Sequence, residues 1–527
     1  MHVSTIVIGL VGLVVSLAYA APLTGLDKAP ASPKLDATVR IDFTEPVTTE
    51  FLGIGVQWAS YPWFELSSAN WEKVTRRVEF LRLPLSRVML DAFWYWRGFD
   101  ADGQPVFDWD TPYMRKLHTL LDFCERNGTT VLLGEWGRPC GQDVDLPSAD
   151  PRWTSLVGES LIHFLRDRKY TCIRYYNLIN EPHGSWSNIT LEDWRTALLN
   201  LEQEFKRRGL EGRIGIAAPD GDRNLTTRSL RDPDLCRLTG IYDEHWYVYR
   251  DEIRRGLLEL YAREQLRQIH RADPGKPFIL GELGIMDGKT ERDQNPDVFR
   301  FWYGLAMADA AIQALRAGVS GVIAWDLDDA MYFLGDGDEY MNALTDKLPN
   351  DAYERRKIWG MWNILGEEHG HPEEEQLRPW FFAWAALARS FPAGCRPVEV
   401  EATGIPGLRV AAARLPSSDA YSIAIVNHDK WSRRLRILAP AATNTVTLDE
   451  WKYIDADGDD RVDSWSVTVD AEGRDVFPRP AGRHSDVRLA DGLTLEIPAN
   501  ALIILTAGEA PAAESAVRGN AAPNGTN

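Results

Sequence analysis

From about residue 40 to 392 the chain alternates short apolar runs with amphipathic stretches. The runs are "FLGIGVQW", "VEFLRLPL", "TVLLGEW", "IRYYNLIN", "RIGIAAP", "GIYDEHWY", "PFILGEL" and "GVIAWDL". Between most of them apolar residues recur at helical spacing. In "MRKLHTLLDFCERNG", Met114, Leu117, Leu120, Leu121 and Cys124 share one face and Gly128 marks the stop. Strand-like runs alternating with helices predict an α/β fold, a (β/α)8 TIM barrel over residues 37–392. Several runs are apolar on consecutive positions, as strands buried on both faces require. In such a barrel, function belongs to the C-terminal ends of the strands.

From 396 to 507 the pattern changes. "LRVAAARL", "YSIAIVNH", "RRLRILA", "TVTLDEWKYI", "WSVTVDA", "LTLEIPA" and "ALIILTAG" are short strands separated by turns, with no long helix between them. This predicts a C-terminal antiparallel β-sandwich that acts as a scaffold behind the barrel. Residues 21–36, rich in Ala and Pro, read as a linker, and the tail 508–527 lacks an apolar pattern and reads as disordered. Residues 4–20, "STIVIGLVGLVVSLAYA", read as the apolar part of a signal peptide cleaved after Ala20. An uncleaved anchor is the alternative. With cleavage the protein is expected to be secreted or periplasmic, with no stable membrane partner.

Composition narrows the function. The 527 residues are 44% hydrophobic, ample for a large core. The net charge of −19, without a Lys/Arg cluster, excludes nucleic acid as a partner. The 20 tryptophans suit core packing and also suit carbohydrate, since a sugar ring stacks its C–H face on a flat aromatic surface. Cys124, Cys140, Cys172, Cys236 and Cys395 are scattered, which indicates buried thiols rather than a disulfide framework or a zinc site.

The stretch "LINEPHGSW" sharpens this. An apolar pair, Leu178 and Ile179, stops on Asn180 and Glu181 before Pro182 forbids further regular structure. Read along the barrel, strand two ends near Arg82, strand three at Glu135-Trp136, and strand four at Asn180-Glu181. Strand six ends at His245 and Tyr247, strand seven at Glu282 and strand eight at Trp325. Two carboxyls then face each other across one mouth, among Arg, Asn, His, Tyr and Trp. Glycosidic cleavage needs such a pair, one to protonate the leaving oxygen and one near the anomeric carbon. An Asn beside the acid can bond a sugar 2-hydroxyl, a Tyr and an Arg can orient the second carboxylate, and a Trp can floor the cleft.

The ordered set "NEP", "HWY", "GELG" and Trp325 resembles clan A of the glycoside hydrolases, nearest to glycoside hydrolase family 5, the cellulase family, or a sister family. The resemblance spans about 350 residues, and only the motifs are specific. It implies Glu181 as acid/base and Glu282 as nucleophile, with Arg82, Asn180, His245, Tyr247 and Trp325 in the site. It also implies a carboxyl separation of about 5–5.5 Å and hence retention. One position departs: the family usually carries a His near the end of strand three, where this chain has Trp136 beside Glu135. Glu135 reads equally as a sugar-hydroxyl acceptor or as a partner for Arg138, and Trp136 as a sugar contact. Trp58, Trp63, Trp94, Trp96, Trp186 and Trp246 lie near strand ends or loops, where about half should be packing and the rest subsite walls.

The expected activity is a retaining β-glycoside hydrolase, an endo-glycanase on a β-glucan or β-mannan, with an oligo- or polysaccharide substrate and no cofactor for catalysis. An exo-acting β-glycosidase and a catalytically inactive carbohydrate-binding barrel are the alternatives. In "DADGDDRVD", Asp455, Asp457, Asp459 and Asp463 offer oxygens at alternating positions, as a structural calcium loop does. Position six of the loop is Asp460 rather than Gly and position twelve is Ser466 rather than Glu, so this is no regular EF-hand, and a solvated acidic turn accounts for the same spacing.

Overall fold

A computed structural model describes residues 35–58, 66–136, 146–182, 184, 187, 189–329, 352–416, 420–463 and 469–507. The signal-peptide and tail expectations, nearly all of the linker, and Trp63, Arg138, Cys140, Trp186 and Ser466 lie outside these residues.

Eight parallel strands close into a barrel: β1 (Gly53–Gln57), β2 (Leu85–Leu90), β3 (Thr130–Glu135), β4 (Ile173–Asn177), β5 (Gly215–Gly221), β6 (Thr239–Val248), β7 (Phe278–Ile285) and β8 (Gly321–Ala324). The (β/α)8 expectation holds. Each strand is almost wholly buried, because the barrel interior lies on one face and helices on the other. Strand side chains alternate, so the interior fills in layers. At the bottom, Leu52, Leu85, Leu132, Tyr175, Ala217, Ile241, Ile279 and Ile323 form a closed apolar plug, one residue from or beside each strand. Two positions further up the same faces stand Arg87, Gly134, Asn177, Asp243 and Gly281. The barrel therefore turns from apolar to ionic within one layer.

The helices between strands carry the punctuation that propensity asks for. Pro112–Asn127 starts with the Thr111 side chain accepting from the Met114 N–H and ends on Gly128 in the left-handed region. Leu191–Arg208 is capped by Thr190, has Glu192 and Asp193 in its first turn, and ends in Lys206, Arg207 and Arg208, which suits the helix dipole at both ends.

The second domain departs from the expected boundary. Its nine strands include Ala37–Pro46 from the N-terminus, which sequence reading assigns to the barrel. This strand pairs in parallel with Arg433–Leu438 through Ala37–Arg40, then antiparallel with Arg396–Val400 from Ile41 onward, and so joins two halves of the sheet. The remaining pairings are antiparallel. Val39, Ile41 and Phe43 point into the β-domain core.

The two domains share one continuous packed seam. Helix Phe301–Ala317 is buried at every residue except Trp302, because barrel covers one side and β-domain the other. Phe301 stacks on Tyr453 at 4.4 Å, and the Tyr453 hydroxyl donates to the Phe301 carbonyl. Arg77 is 1% exposed and grips Asp475 through Nε and Nη2 at 2.7 and 2.8 Å. At the start of that buried helix, the Asp460 carbonyl and Oδ1 accept from the N–H groups of Phe301 and Trp302. A residue of the acidic turn thus caps a barrel helix whose own flanking residue, Arg300, supplies no side-chain cap.

Candidate active site

Residues 78–84, read above as part of strand two, are instead the end of helix Ser68–Leu81 and the turn after it, and β2 begins only at Leu85. Arg82 is the C-cap residue, exposed, at φ 49°, at the foot of the barrel. It does not reach the site. Pro84 separates it from β2, and the arginine that reaches the mouth is Arg87. A proline two residues after Arg82, followed by Arg87 in a fresh apolar run, is the signal that would have found it.

Arg87 is fully buried and organises the floor of the mouth. Its Nη1 donates to Glu282 Oε1 at 2.7 Å and to Gln57 Oε1 at 2.8 Å. Its Nη2 donates to Asn180 Oδ1 at 2.8 Å and to Asp220 at 3.0 Å. The Tyr247 hydroxyl donates to Glu282 Oε2 at 2.6 Å, so both oxygens of that carboxylate are held. Glu181 sits one turn past β4 at φ 47°, a left-handed conformation that costs a non-glycine residue about 1–2 kcal/mol. Its N–H bonds the Asp220 carbonyl at 3.1 Å, which secures the strained turn. His245 Nδ1 lies 2.7 Å from Glu181 Oε1 and 3.6 Å from Glu282 Oε2, and its Nε2 lies 3.3 Å from Asp220 Oδ1. An oxygen of Glu181, a nitrogen of His245 and an oxygen of Glu282 all fall within 4.8 Å of one another.

The charges follow from this geometry. Burial would lower His245, but Glu282, Asp220 and Glu181 around it hold it well above the usual imidazole range, so it carries a proton on each nitrogen. Burial pushes Glu181 up, and the hydrogen bond and charge of His245 overcome it and leave Glu181 below the ordinary carboxylate value. Burial pushes Glu282 above the ordinary value, against the pull of His245 and Arg87. Asp220 is held low, with Arg87 and His245 outweighing its burial.

Of the residues named from sequence, the structure brings together Glu181, Glu282, Asn180, His245 and Tyr247. Trp325 is 5% exposed and meets Trp136 edge to face at 6.4 Å, so these two form one aromatic corner. Glu135 is elsewhere. Gly134 is the inward position of β3, so Glu135 points outward into the helix layer. There it is 1% exposed and accepts from the hydroxyls of Tyr95 and Tyr176 at 3.0 and 3.1 Å. Burial, then the charge of Asp91, pushes it up to about 8. Such a carboxyl is a packing element rather than a sugar contact. Trp58, Trp94 and Trp96 are 1% exposed or less and are packing too. Gln57, Arg87, Asp220 and Asp243 were missed. Asp220 lies just past Pro219, where the apolar run "RIGIAAP" stops although the strand continues. Asp243 lies two residues before His245 on one strand face, a period-two signal.

Asp455, Asp457, Asp459 and Asp463 do gather, with oxygens within 4.8 Å of one another at a largely exposed turn. Asp455 already accepts from the N–H groups of Gly458, Asp459 and Asp460.

No family model and no curated protein matches the sequence. Solved structures match the fold. A GH30 endoxylanase from Clostridium papyrosolvens C71 aligns with TM-score 0.59 at 10% identity, over 90% of this chain and 100% of that one. A GH39 β-xylosidase from Caulobacter crescentus aligns with TM-score 0.58 at 15% identity, over 90% and 100%. A glucosidase from Croceicoccus marinus aligns with TM-score 0.57 at 11% identity, again over 90% and 100%. The barrel and the second β-domain are thus shared, as one unit, with glycoside hydrolases of the GH30 and GH39 families. The endoxylanase and the β-xylosidase carry the family names GH30 and GH39 rather than family 5, to which the motifs pointed.

Proposed function

We propose that the protein is a retaining β-glycoside hydrolase, with Glu282 as nucleophile and Glu181 as acid/base. The observation that carries this reading is the closeness of the two carboxyls, with oxygens of both within 4.8 Å of each other and of one His245 nitrogen. Inverting enzymes hold their carboxyls about 6.5–9.5 Å apart to seat a water, whereas retaining ones hold them about 5–5.5 Å apart. Glu282, oriented by Arg87 and Tyr247, attacks the anomeric carbon while Glu181 delivers a proton to the departing oxygen. Water then opens the glycosyl-enzyme with Glu181 as base. Arg87 occupies Asn180 Oδ1, which leaves the amide NH2 to donate to a sugar 2-hydroxyl as the oxocarbenium-like charge develops. Trp136 and Trp325 supply the stacking surface.

The fold neighbours are named as xylanases, β-xylosidases and a glucosidase, so aryl β-xylosides and β-glucosides are the first substrates to try. A polysaccharide panel that includes glucan and mannan, with product sizes resolved, then separates endo from exo action. Retention is tested by NMR of the first-formed product and by a 2-fluoro sugar. The β-anomer and a label on Glu282 are expected; the α-anomer or a label elsewhere sinks the mechanism. Secretion after loss of residues 1–20 belongs to the same reading and is checked by the mass of the exported chain. Calcium at the acidic turn is also a proposal, with a lower melting temperature in chelator as its expected mark and an unchanged one as its refutation.

A further inference from the structure

Below the two glutamates lies a carboxyl that the mechanism above does not use. Asp243 is fully buried, and neither of its oxygens receives a hydrogen bond from a donor among the described residues. Its surroundings are crowded and charged. Gly281 on β7 is so close that a Cβ there would lie 1.9 Å from Asp243 Oδ1. Asp220 on β5 and His245 on β6 each offer an atom that falls, with an oxygen of Asp243, inside a 4.8 Å cluster. Arg87 from β2 spends its Nη1 and Nη2 donors on Gln57, Glu282, Asn180 and Asp220, and its buried Nε has no acceptor among the described residues and makes no bond to Asp243. Glu181 after β4 and Glu282 on β7 lie beyond His245, and Tyr247 is committed to Glu282. An ionised carboxylate with no donor and a second carboxylate beside it is strongly disfavoured, a cost that a proton removes.

We propose that Asp243 is a neutral carboxylic acid donating to Asp220, and that this pair, through His245 Nε2, positions the proton that Glu181 passes to the leaving group. Asp243 and Asp220 are positioning residues, and the inference rests on Glu181 being the acid/base. The direction of the Asp243 shift agrees: burial, then the charge of Asp220, raises it well above the carboxylate range.

The proton traffic balances. In the resting site Arg87 and His245 carry positive charge, and Glu181, Asp220 and Glu282 negative, which leaves one net negative charge if Asp243 is neutral. As Glu282 bonds the anomeric carbon and the glycosidic bond breaks, the His245 Nδ1 proton passes to Glu181 and on to the departing oxygen, so His245 ends neutral, Glu181 ends as it began, a carboxylate, and the leaving group departs as an alcohol. When water opens the glycosyl-enzyme, its oxygen bonds the anomeric carbon, Glu282 leaves as carboxylate, and the released proton returns through Glu181 to His245. The strength with which Asp220 holds the other end of the imidazolium decides how readily this proton moves. A carboxylate that accepts a hydrogen bond from Asp243 holds it less firmly than a bare one.

The test combines two readouts. The first is kcat/KM against pH on an aryl β-glycoside with a poor leaving group. Asp243→Leu removes the donor, leaves Asp220 bare and should raise the basic limb by about one pH unit. Asp243→Asn, whose NH2 can still donate, should return the limb towards its original place. Asp220→Asn removes the charge and should lower it. The second is infrared difference spectroscopy at neutral pH, which should show a carboxylic-acid carbonyl band in the native protein that Asp243→Asn lacks. Glu135 and Asp326 are also raised by burial, but they cancel in the difference. The proposal fails if that band is absent, if Asp243→Asn lowers the limb as far as Asp220→Asn, or if the purified protein carries one equivalent of divalent metal that Asp243→Asn loses. If Asp243→Leu does not fold, the Asn comparison and the infrared band still decide. If no glycoside is turned over, the glycosidase reading falls, while the band alone still reports on the Asp243 proton.

Discussion

Two buried clusters in this molecule are made of the same three residue types. At the barrel mouth stand Arg87, Asp220 and His245. At the domain seam stand Arg409, Asp309 and His428. In the seam, Arg409 Nε donates to Asp309 Oδ1 at 2.6 Å, its Nη2 to Oδ2, and His428 Nε2 lies 2.9 Å from the same Oδ2. The histidines behave oppositely. Burial holds His428 below the usual imidazole range, because the one carboxylate it meets is already matched by an arginine. His245 meets three carboxylates, only partly matched by Arg87, and is held well above that range. One carboxylate per arginine makes a joint. A surplus of carboxylate turns the histidine into a proton carrier.

The sharpest way to break this contrast is to remove one carboxylate from each cluster. Glu282→Gln should cut kcat/KM on an aryl β-glycoside by ~10⁴-fold or more, as removal of a nucleophile does. It should leave the melting temperature unchanged or higher, since it relieves a surplus of buried negative charge. A fall in stability with activity retained would undo the comparison. Asp309→Asn should do the reverse. It strands Arg409 without its counter-charge and should cost about 3–5 kcal/mol in urea unfolding. The fraction of folded protein that a fluoro-sugar labels should not change.

Acid unfolding sharpens the seam further. Burial opposes ionisation of Asp309, but the charge and hydrogen bonds of Arg409 win and bring it down to about 2 from 3.8. A depressed carboxylate stabilises the fold above its unfolded pKa, and that stabilisation disappears as pH falls through the folded one. About 2 kcal/mol should therefore be lost between roughly pH 4 and pH 2. In Asp309→Asn that stretch of the stability curve should be flatter. The smallest effect is expected at the other contact of the same helix. Asp460→Ala removes the side-chain cap on Trp302 and should cost about 1 kcal/mol by thermal or urea melts, with no change in KM.

Much of the mouth was legible because polar residues stand at or just past the ends of largely apolar, buried strands: Asn180-Glu181 after Leu178-Ile179, His245 with Tyr247, and Glu282 after Phe278–Leu280. Three misreadings have one origin, which is strand frame. Helix Ser68–Leu81 runs through a turn into β2 with little change in hydrophobicity, so Arg82 looked like a strand end when Arg87 was the inward residue. Glu135 is polar at a strand end but on the outward parity, and its tyrosine partners, Tyr95 and Tyr176, are distant in sequence. Asp220 hid behind Pro219. Which of two adjacent residues points inward depends on register with neighbouring strands, and bulges such as that between Leu280 and Glu282 reset it. The strand Ala37–Pro46 carried a readable clue, since Val39, Ile41 and Phe43 alternate with polar residues as no interior barrel strand here does.

That strand has a consequence for how the molecule is made. The chain contributes to the β-domain first, builds the whole barrel, and returns only afterwards; Asp36 and the Arg434 N–H that it accepts from are 398 residues apart. At a translation rate of about 5–20 residues per second, the first strand waits roughly 20–80 seconds for its partners to emerge. Closing so long a loop adds little to the equilibrium cost, because each doubling of length costs only about 0.6 kcal/mol. The burden is one of timing. Through that interval an apolar-faced strand stands with an open edge on every nascent chain, and a ribosome that stalls inside the barrel releases a product with an adhesive end.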